Sequence, residues 1–249
     1  MGRLTGRAAI VTGGAQGLGA GIAVGFAQEG ADVAIFDIAP AETAKPVLDA
    51  IRAAGRRTVY CSVDVSDAEQ VCAGVEEVLN TFSLLDILVN NAGIVRQAVV
   101  AEMAVEDWDR VLAVNLRGAF LCTRYVLPGM LERGYGRIIN IASQLGQIGG
   151  ETMAHYAASK AGLIGFTKSL AREVSQYGVL VNAIAPGPIE TAMLAAETEE
   201  WTRTKLASLP IHRFGAVEEV VPTAIFLASD DARYYVGQTL GPNGGDVML

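Results

Sequence analysis

Short, β-rich apolar runs alternate with helical patterns along the whole chain of 249 residues. Such an alternation is typical of parallel sheets in which a helix connects successive strands. The predicted strands are Arg7–Thr12, Asp32–Asp37, Thr58–Val63, Ile87–Asn90, Gly136–Ile141, Leu180–Ala185 and Gln238–Leu240. The predicted helices are Gly17–Glu29, Ala41–Ala54, Ala68–Thr81, Asp107–Arg133, Tyr156–Tyr177 and Glu218–Ser229.

Crossovers between parallel strands are right-handed, so the helices of such a chain cover both faces of its sheet. The pattern therefore predicts an α/β fold with one doubly wound parallel sheet of about seven strands. The sequence has no internal repeat, no low-complexity segment and no linker rich in Pro, Gly or Ser. We therefore predict a single domain over residues 1–249.

The segment Pro188–Gly215 breaks this alternation. It follows the sixth predicted strand, at the edge where open α/β sheets bind their ligands. Two interpretations are open, a mobile lid over a substrate and an ordinary surface insertion, and the placement favours the lid. The residues that mark the segment are Glu197, Glu199, Glu200, Trp201 and Pro210.

The amino-acid composition of the chain limits the classes of molecule that it is expected to bind. The net charge of −8 disfavours nucleic acid, because contacts to phosphates need clustered Lys and Arg. No apolar run reaches the ~18 residues of a membrane span. The first residues show no secretory signal, so we expect no membrane contact and a cytoplasmic location. His155 and His212 are too few for a histidine-based metal site, and the three cysteines are scattered, so no metal is predicted.

A glycine-rich turn, Gly13-x-x-x-Gly17-x-Gly19, joins the first predicted strand to the first predicted helix. Glycine permits a tight turn and lets the backbone approach a pyrophosphate closely. The N-terminus of the helix adds free N–H groups and the positive end of its dipole. Because strand, turn and helix follow in this order, the pattern predicts a dinucleotide site on a Rossmann-type sheet.

Asp37 ends the second predicted strand, at about the spacing expected for a carboxylate that binds the adenosine ribose. A carboxylate there repels a 2′-phosphate by about 1–4 kcal/mol. Gln16, in the glycine turn, adds no positive charge that would offset this repulsion. We therefore predict NAD rather than NADP as the cofactor. The alternative role for Asp37 is to cap the turn that follows the strand.

Tyr156 and Lys160 lie four residues apart in a predicted helix, so their side chains share one face. A nearby ammonium stabilises a phenolate and lowers the tyrosine pKa from its usual value near ~10. Such a pair is suited to general acid–base chemistry, with Ser143 as a hydrogen-bond partner for the substrate oxygen. An isolated Tyr-x-x-x-Lys pair is otherwise a solvated helix pair, but the surrounding small residues favour a closely packed helix.

The chain resembles the short-chain dehydrogenase/reductase family from end to end. The motifs that carry this resemblance are Thr12–Gly19, Asp64-Val65, Asn90–Gly93, Asn115, Ser143, Tyr156–Lys160 and Pro186–Thr191. The resemblance implies that Tyr156 donates and accepts the proton and that Ser143 orients the substrate. It implies that Lys160 binds the nicotinamide ribose and lowers the tyrosine pKa. Asn115 is expected to kink its helix and to hold a water in a proton relay to Lys160.

The resemblance also places the cofactor. Asp64 and Val65 are expected to border the adenine, and Ile189 and Thr191 to meet the nicotinamide carboxamide. The catalytic set that we predict is Asn115, Ser143, Tyr156 and Lys160. The cofactor-binding set is Gly13, Gln16, Gly17, Leu18, Gly19, Asp37, Ile38, Asp64, Val65, Asn91, Ala92, Gly93, Tyr156, Lys160, Pro186, Gly187, Ile189 and Thr191.

Within the family, the chain most resembles 3-oxoacyl-[acyl-carrier-protein] reductases, through its tail Gln238–Gly245 and the helical segment Leu163–Val174. Two departures count against that activity. Those reductases commonly use NADPH, which Asp37 disfavours, and they commonly present basic residues to the carrier protein at positions that match Gly134 and Tyr177. We therefore predict an NAD(H)-dependent oxidoreductase of a small polar secondary alcohol (a polyol, sugar or hydroxy acid). The alternative is a 3-oxoacyl-[acyl-carrier-protein] or acetoacetyl-CoA reductase.

Polar side chains flank Ser143 and Tyr156. They are suited to binding a hydroxylated small-molecule substrate, but they are equally typical of loop residues that meet water. A non-catalytic dinucleotide-binding protein is the alternative of another class, although such proteins usually lose the tyrosine or the lysine. Related proteins form tetramers, so we expect a homotetramer, and a dimer is also compatible with the sequence. The flanking polar residues are Arg96, Gln144, Gln147, Glu151, Thr152 and His155.

Overall fold

The computed structural model describes residues 2–192, 194–196 and 198–249. Seven strands form one sheet in which every neighbouring pair is parallel. The strands are β1 (Ala8–Thr12), β2 (Asp32–Asp37), β3 (Thr58–Ser62), β4 (Ile87–Asn90), β5 (Gly136–Ile141), β6 (Val179–Ile184) and β7 (Thr239–Leu240). Their order in the sheet is β3-β2-β1-β4-β5-β6-β7. The predicted doubly wound parallel sheet is therefore confirmed, and each strand end lies within one residue of its prediction.

Helices cover both faces of this sheet. They are α1 (Gly17–Gln28), α2 (Ala41–Ala53), α3 (Ala68–Phe82), α4 (Val105–Leu112), α5 (Gly118–Arg133), α6 (Leu145–Ile148), α7 (Ala154–Val174), α8 (Glu199–Ser208) and α9 (Val217–Ala228). Short 3₁₀ turns occur at Ser175–Tyr177, Leu194–Ala196 and Asp230–Ala232. Among the described residues, none of these helices is long and apolar enough to cross a membrane.

The two faces of the sheet are covered by different apolar cores. Successive side chains of a strand point to opposite faces. Ala9 and Val11 of β1 therefore pack into the core that α1, α2 and α9 cover. Ala8 and Ile10 pack into the core that α3, α5 and α7 cover. Because both faces are buried, the central strands β1, β2, β4, β5 and β6 are largely apolar and do not alternate between polar and apolar residues.

The helix predicted over Asp107–Arg133 is divided in the structure. Helix α4 leads into a π-helical segment, Ala113–Arg117, and α5 follows it. Such widened turns inside helices are rare and often mark functional sites. Asn115 lies within the widened turn. Helices α6 and α8 were not predicted, because α6 has a single turn and α8 lies in the segment that breaks the alternation.

The strand order places the binding crevice. The chain runs outward from β1 through β2 to β3 and then returns to β4 on the other side of β1. Open α/β sheets bind ligands outside the carboxyl ends of the strands at such a reversal. The glycine turn after β1 and the loop after β4 therefore meet at this point.

Candidate active site

A cleft of about 760 Å³ opens at the carboxyl ends of the strands. This volume lies within the ~300–1,000 Å³ that is typical of small-molecule sites. All of the predicted site residues except Asn115 line the cleft. Those residues are Gly13, Gln16, Gly17, Leu18, Gly19, Asp37, Ile38, Asp64, Val65, Asn91, Ala92, Gly93, Ser143, Tyr156, Lys160, Pro186, Gly187, Ile189 and Thr191.

The glycine turn requires glycine, either because there is no room for a side chain or because of its backbone angles. A Cβ on Gly19 would lie 2.2 Å from the carbonyl oxygen of Gly13, far inside van der Waals contact. Gly13 and Gly17 have φ angles of +62° and +56°, which non-glycine residues rarely adopt. No side chain caps the N-terminus of α1, so its first N–H groups face the cleft without a side-chain acceptor. This cradle fits the pyrophosphate of a dinucleotide.

The loop after β4 is fastened to the glycine turn. The hydroxyl of Thr12 accepts the N–H groups of Asn91 and Ala92 at 3.0 and 2.9 Å. The amide Nδ2 of Asn91 donates back to the carbonyl oxygen of Gly13 at 3.0 Å. The Asn-Asn-Ala-Gly segment therefore forms a wall of the cleft that hydrogen bonds hold in place. The sequence alone could not predict this, because Asn-Asn-Ala-Gly is typical of any turn.

Asp37 caps the turn that follows β2 and also lines the cleft. One carboxylate oxygen accepts the N–H of Ala15 and the other accepts the N–H of Ala39, each at 3.0 Å. The side chain is half-buried and lines the cleft beside Ile38. Because a carboxylate has about four acceptor positions, these two bonds leave capacity for ribose hydroxyls.

The basic residue that lines the cleft near Asp64 is already neutralised. Arg110 donates to Asp64 at 3.0 Å and to the hydroxyl of Ser66 at 2.8 Å. Burial raises the pKa of Asp64, but the bonds from Ser66 and Arg110 outweigh it and hold that pKa below its usual value. Arg110 lies in none of the sequence motifs that predict the cleft, although its side chain lines it.

Ser143, Tyr156 and Lys160 meet where β5 ends and α7 begins. Ser143 is buried two residues after the strand, and its hydroxyl accepts the N–H of Leu145 at 3.1 Å. Lys160 is buried, and its ammonium donates to the carbonyl oxygen of Ile141 at 2.7 Å. The Nζ atom lies 5.7 Å from the centre of the Tyr156 ring, so the two side chains share a helix face as predicted.

One electrostatic prediction for this group is wrong. Burial is the largest influence on Tyr156 and raises its pKa, whereas the hydrogen bond with Ser143 acts in the opposite direction. Lys160 is not among the influences that shift the Tyr156 pKa, and its ammonium donates to the Ile141 carbonyl. Burial also lowers the pKa of Lys160, to about 8. Both groups therefore favour their neutral forms more than exposed groups would.

Asn115 lies behind the wall of the cleft, where it is buried. Its Oδ1 accepts the N–H of Ile94 at 2.8 Å, and its Nδ2 donates to the Ile94 carbonyl and the Ser159 hydroxyl at 2.9 and 3.1 Å. A Cβ added to Gly93 would lie 3.4 Å from Asn115 Oδ1 and 3.5 Å from Lys160 Nζ. Asn115 therefore holds the loop that separates it from Lys160.

Some of the polar residues that flank Ser143 and Tyr156 in the sequence line the cleft, and others do not. Gln144, Glu151 and Thr152 line the cleft. His155 is buried instead, and Arg96 forms an ion pair with Asp107.

Part of the segment after β6 also borders the cleft. Its residues in the lining are Pro188, Ile189, Thr191, Ala192, Leu194, Trp201 and Lys205. Closure of this segment over a substrate stays a prediction, and Glu197, which helped to define it, lies outside the described residues.

Two charged residues of this region were missed. Lys205 of α8 lines the cleft, and its ammonium donates to Asp246 near the C-terminus at 2.5 Å. The amide of Gln144 donates to the same carboxylate oxygen. No spacing rule connects positions 144, 205 and 246, so no sequence signal pointed to this contact. Among the described residues, no group of three or more His, Cys, Asp or Glu side chains is placed to hold a metal ion.

Comparisons with known proteins agree with this geometry. The family model described as short chain dehydrogenase matches residues 7–202. A 3-oxoacyl-[acyl-carrier-protein] reductase from Staphylococcus aureus is 42% identical over 242 residues, which cover 97% of this chain and 98% of that protein.

Two solved structures share the fold closely. Levodione reductase has a TM-score of 0.94 and 34% identity, with 98% of each chain covered. A proposed gluconate dehydrogenase from Agrobacterium tumefaciens also has a TM-score of 0.94 and 34% identity, covering 99% of this chain and 98% of that one. With a family match over most of its length and relatives of this similarity, the chain belongs to the short-chain dehydrogenase family and is an oxidoreductase that acts on CH–OH groups.

Proposed function

We propose that the chain is an NAD(H)-dependent oxidoreductase that interconverts a secondary alcohol and its ketone, with Tyr156 as the acid and base. The observation that carries the proposal is the convergence of Ser143, Tyr156 and Lys160 in the cleft that the glycine turn also lines. Each group is held by packing or by hydrogen bonds to the scaffold, which is the preorganisation that catalysis requires.

A nicotinamide dinucleotide supplies or accepts the hydride when it is bound in this cleft. The glycine turn and the N-terminus of α1 would hold its pyrophosphate, and Asp37 its adenosine ribose. Asp64 and Val65 would border the adenine, and Ile189 and Thr191 would meet the carboxamide. These assignments combine the positions in the cleft with the family resemblance.

Tyr156 and Ser143 act on the substrate oxygen. In reduction, the neutral phenol of Tyr156 donates its proton to the carbonyl oxygen as negative charge develops there. The Ser143 hydroxyl donates a hydrogen bond to the same oxygen and orients the substrate. In oxidation, the phenolate form accepts the alcohol proton. We assign Lys160, with its pKa of about 8, to proton exchange with Tyr156 near neutral pH, and Asn115 to the relay beyond it.

The cofactor assignment rests on Asp37. Its carboxylate lines the cleft and accepts N–H groups of the backbone in place of pairing with Lys or Arg. Its charge is therefore available to repel a 2′-phosphate. The test is to measure the Michaelis constants for NADH and NADPH with one ketone substrate. A lower constant for NADH supports the assignment, and a lower constant for NADPH refutes it.

Two substrate classes remain in the proposal, and each has its own support. Similar proteins named 3-oxoacyl-[acyl-carrier-protein] reductase favour a 3-oxoacyl thioester over the small polar alcohol that we predicted first. The polar alcohol is supported by the hydrogen-bonding side chains of the cleft, including Gln144, Glu151 and Thr152.

A single assay separates the two classes. Absorbance of the reduced nicotinamide is followed with NAD and a panel of polyols, hydroxy acids and simple secondary alcohols, and in reverse with acetoacetyl thioester and NADH or NADPH. Turnover confined to the thioester assigns the reductase activity. Fast NAD reduction on one polar alcohol assigns the dehydrogenase activity.

A homotetramer, the cytoplasmic location and a single domain with a closing lid stay predictions. Exposed apolar side chains on α4 and α5, Val105 and Phe120, and at the C-terminal end, Met248 and Leu249, support an assembly of several copies. Size-exclusion chromatography with light scattering measures the number of copies directly.

A further inference from the structure

Three segments that are remote in sequence meet beside the cleft, which Gln144 and Lys205 line. Gln144 follows Ser143, Lys205 lies on α8, and Asp246 lies in the C-terminal tail. The side chains of Gln144 and Lys205 both donate to the Oδ2 atom of Asp246. All three side chains are largely buried, with 22% of Lys205 and 10% of Asp246 exposed. We call this set the distal polar group.

The distal polar group is held in place by its own backbone. The main-chain N–H of Gln144 donates to the Pro186 carbonyl at 3.1 Å. In the tail, the N–H of Asp246 donates to the carbonyl of Asn243 at 3.3 Å, and the Asn243 amide donates to Val247 at 2.7 Å. The group is therefore positioned by the fold, as a specificity site requires.

Hydrogen-bonding capacity is left over in this group. The Oε1 atom of Gln144 is buried and has no hydrogen-bond partner within the described part of the chain. The Lys205 ammonium has three donors, and its contact with Asp246 uses one of them. A buried acceptor without a donor is costly, and native structures usually satisfy such a group with a ligand or a water. The distal polar group therefore offers both an acceptor and donors beside the reacting group Ser143.

We propose that the distal polar group binds hydroxyl groups of the substrate, so that the substrate is a polyol or sugar-like secondary alcohol. The proposal rests on the proposed function and selects one of its two substrate classes. A hydroxyl group both donates and accepts, so it can donate to Gln144 Oε1 and accept from Lys205 Nζ. The Gln144 acceptor and the Lys205 donors are thus both suited to the hydroxyl groups of a polyol or sugar.

The charges of the group argue against the other class. The hydrocarbon part of an acyl chain offers neither donors nor acceptors. Its methylene groups would cover the Lys205–Asp246 pair, and that pair would lose hydrogen bonds to water without replacement. A substrate carboxylate accepts hydrogen bonds but cannot donate one to Gln144 Oε1. Uncharged hydroxyl groups avoid both costs.

The experiment compares two alcohols of equal chain length, xylitol and pentan-2-ol, in NAD reduction by the wild-type enzyme and its variants. We expect Asp246→Asn and Lys205→Met to lower kcat/KM for xylitol about tenfold or more, mainly by raising KM. In these variants a substrate hydroxyl loses its hydrogen-bond partner in the site. Activity on pentan-2-ol is expected to stay within about twofold of wild type. Asp49→Asn, in the exposed Lys45–Asp49 pair of α2, is the matched control and should change neither activity.

Several outcomes overturn the proposal. Equal losses on both alcohols would show that the group merely anchors the tail, and unchanged xylitol kinetics would show that it does not contact the substrate. Thermal melting and NADH titration of each variant exclude loss of folding or of cofactor binding as the cause. A wild-type enzyme that reduces acetoacetyl thioester and oxidises no polyol refutes this inference but leaves the hydride-transfer proposal standing. The absence of turnover with every substrate refutes both.

Discussion

The two ends of the sheet bury charged side chains in different ways. At the amino end, Arg137 donates to Asp230 at 2.9 Å and lies 4.3 Å from the centre of the Tyr135 ring. At the carboxyl end, Lys160 donates to the carbonyl oxygen of Ile141. Within the described part of the chain, no carboxylate forms an ion pair with Lys160. A buried cation with its partner stabilises a fold, whereas one without a counter-charge has a shifted pKa and is available for chemistry.

Strand β2 shows the same contrast along its own length, because it begins and ends with an aspartate. Asp32, at the amino end, forms ion pairs with Arg56 and Arg57 at 2.6 and 2.7 Å. Asp37, at the carboxyl end, accepts two backbone N–H groups at 3.0 Å. The chain thus neutralises Asp32 with its own arginines and leaves the charge of Asp37 facing the cleft.

The largest expected effect distinguishes two half-buried tyrosines, Tyr156 and Tyr135, at opposite ends of the sheet. Tyr156→Phe removes the proton donor and is expected to lower kcat by about 10³-fold or more, with NADH binding nearly unchanged. Tyr135→Phe, at the opposite end, loses a long bond to Asp230 of 3.3 Å and is expected to leave turnover unchanged. Steady-state kinetics and fluorescence titration of NADH measure both. Undiminished turnover by Tyr156→Phe would refute the role assigned to this residue.

The second prediction separates the two aspartates of β2. Asp37→Ser removes the repulsion of a 2′-phosphate and is expected to shift the ratio of kcat/KM for NADPH over NADH by at least tenfold. Asp32→Asn should leave that ratio unchanged, because this residue pairs with arginines at the far end of the strand. A cofactor ratio that Asp37→Ser does not move would contradict the assignment of NAD.

The two buried cations should differ in stability and in its dependence on pH. Arg137→Met breaks an ion pair and a cation–π contact and is expected to lower the free energy of unfolding by about 2 kcal/mol. The pKa of Lys160 is lowered to about 8 by burial. Between about pH 8 and 10 the unfolded chain therefore holds a proton that folded Lys160 has lost, so wild-type stability rises with pH.

Lys160→Met lacks this contribution. The stability difference between wild type and Lys160→Met should shift in favour of wild type by about 1 kcal/mol per pH unit in that window. Urea denaturation at pH 8, 9 and 10 measures the slope. If the stability of the two proteins depends on pH in the same way, burial does not lower the pKa of Lys160.

The smallest effect is expected at Asp32. Burial raises its pKa, but the hydrogen bonds from Arg57 and the charges of Arg56 and Arg57 outweigh burial and hold that pKa below its usual value. A lowered carboxyl pKa contributes stability above the unfolded value near ~4, and this is lost as the pH falls through the folded value. Asp32→Asn should cost about 1 kcal/mol at pH 7 and less at pH 3. An equal cost at both values would contradict the ion pairing.

Much of the fold could be read from local patterns. All seven strands were predicted within one residue, because β-rich apolar runs between helical segments have few other interpretations in a chain of this kind. The division at Ala113–Arg117 was not visible as a boundary, since its residues continue the helical pattern, although the resemblance led us to expect a kink at Asn115. Helix α8 was missed because its segment carries no clear apolar period.

The candidate site, like the fold, could be predicted from the sequence only in part. The positions of Gly13, Gly17 and Gly19 and the spacing of Tyr156 and Lys160 are local, so the sequence determined the cradle and the shared helix face. The direction of the Tyr156 pKa shift could not be read from that spacing. It depends on how deeply the packed elements around α7 exclude water, and only the tertiary structure decided it.

The sequence by itself determined the elements, the glycine turn and the shared helix face of Tyr156 and Lys160, because each of these follows from contacts between residues that are close along the chain. Only the tertiary structure decided that Lys160 is buried without a carboxylate. It also brought Gln144 to Asp246, 102 residues away, and Lys205 to the same oxygen atom. Contacts of this range depend on the relative placement of packed elements, and no local period or spacing encodes that placement.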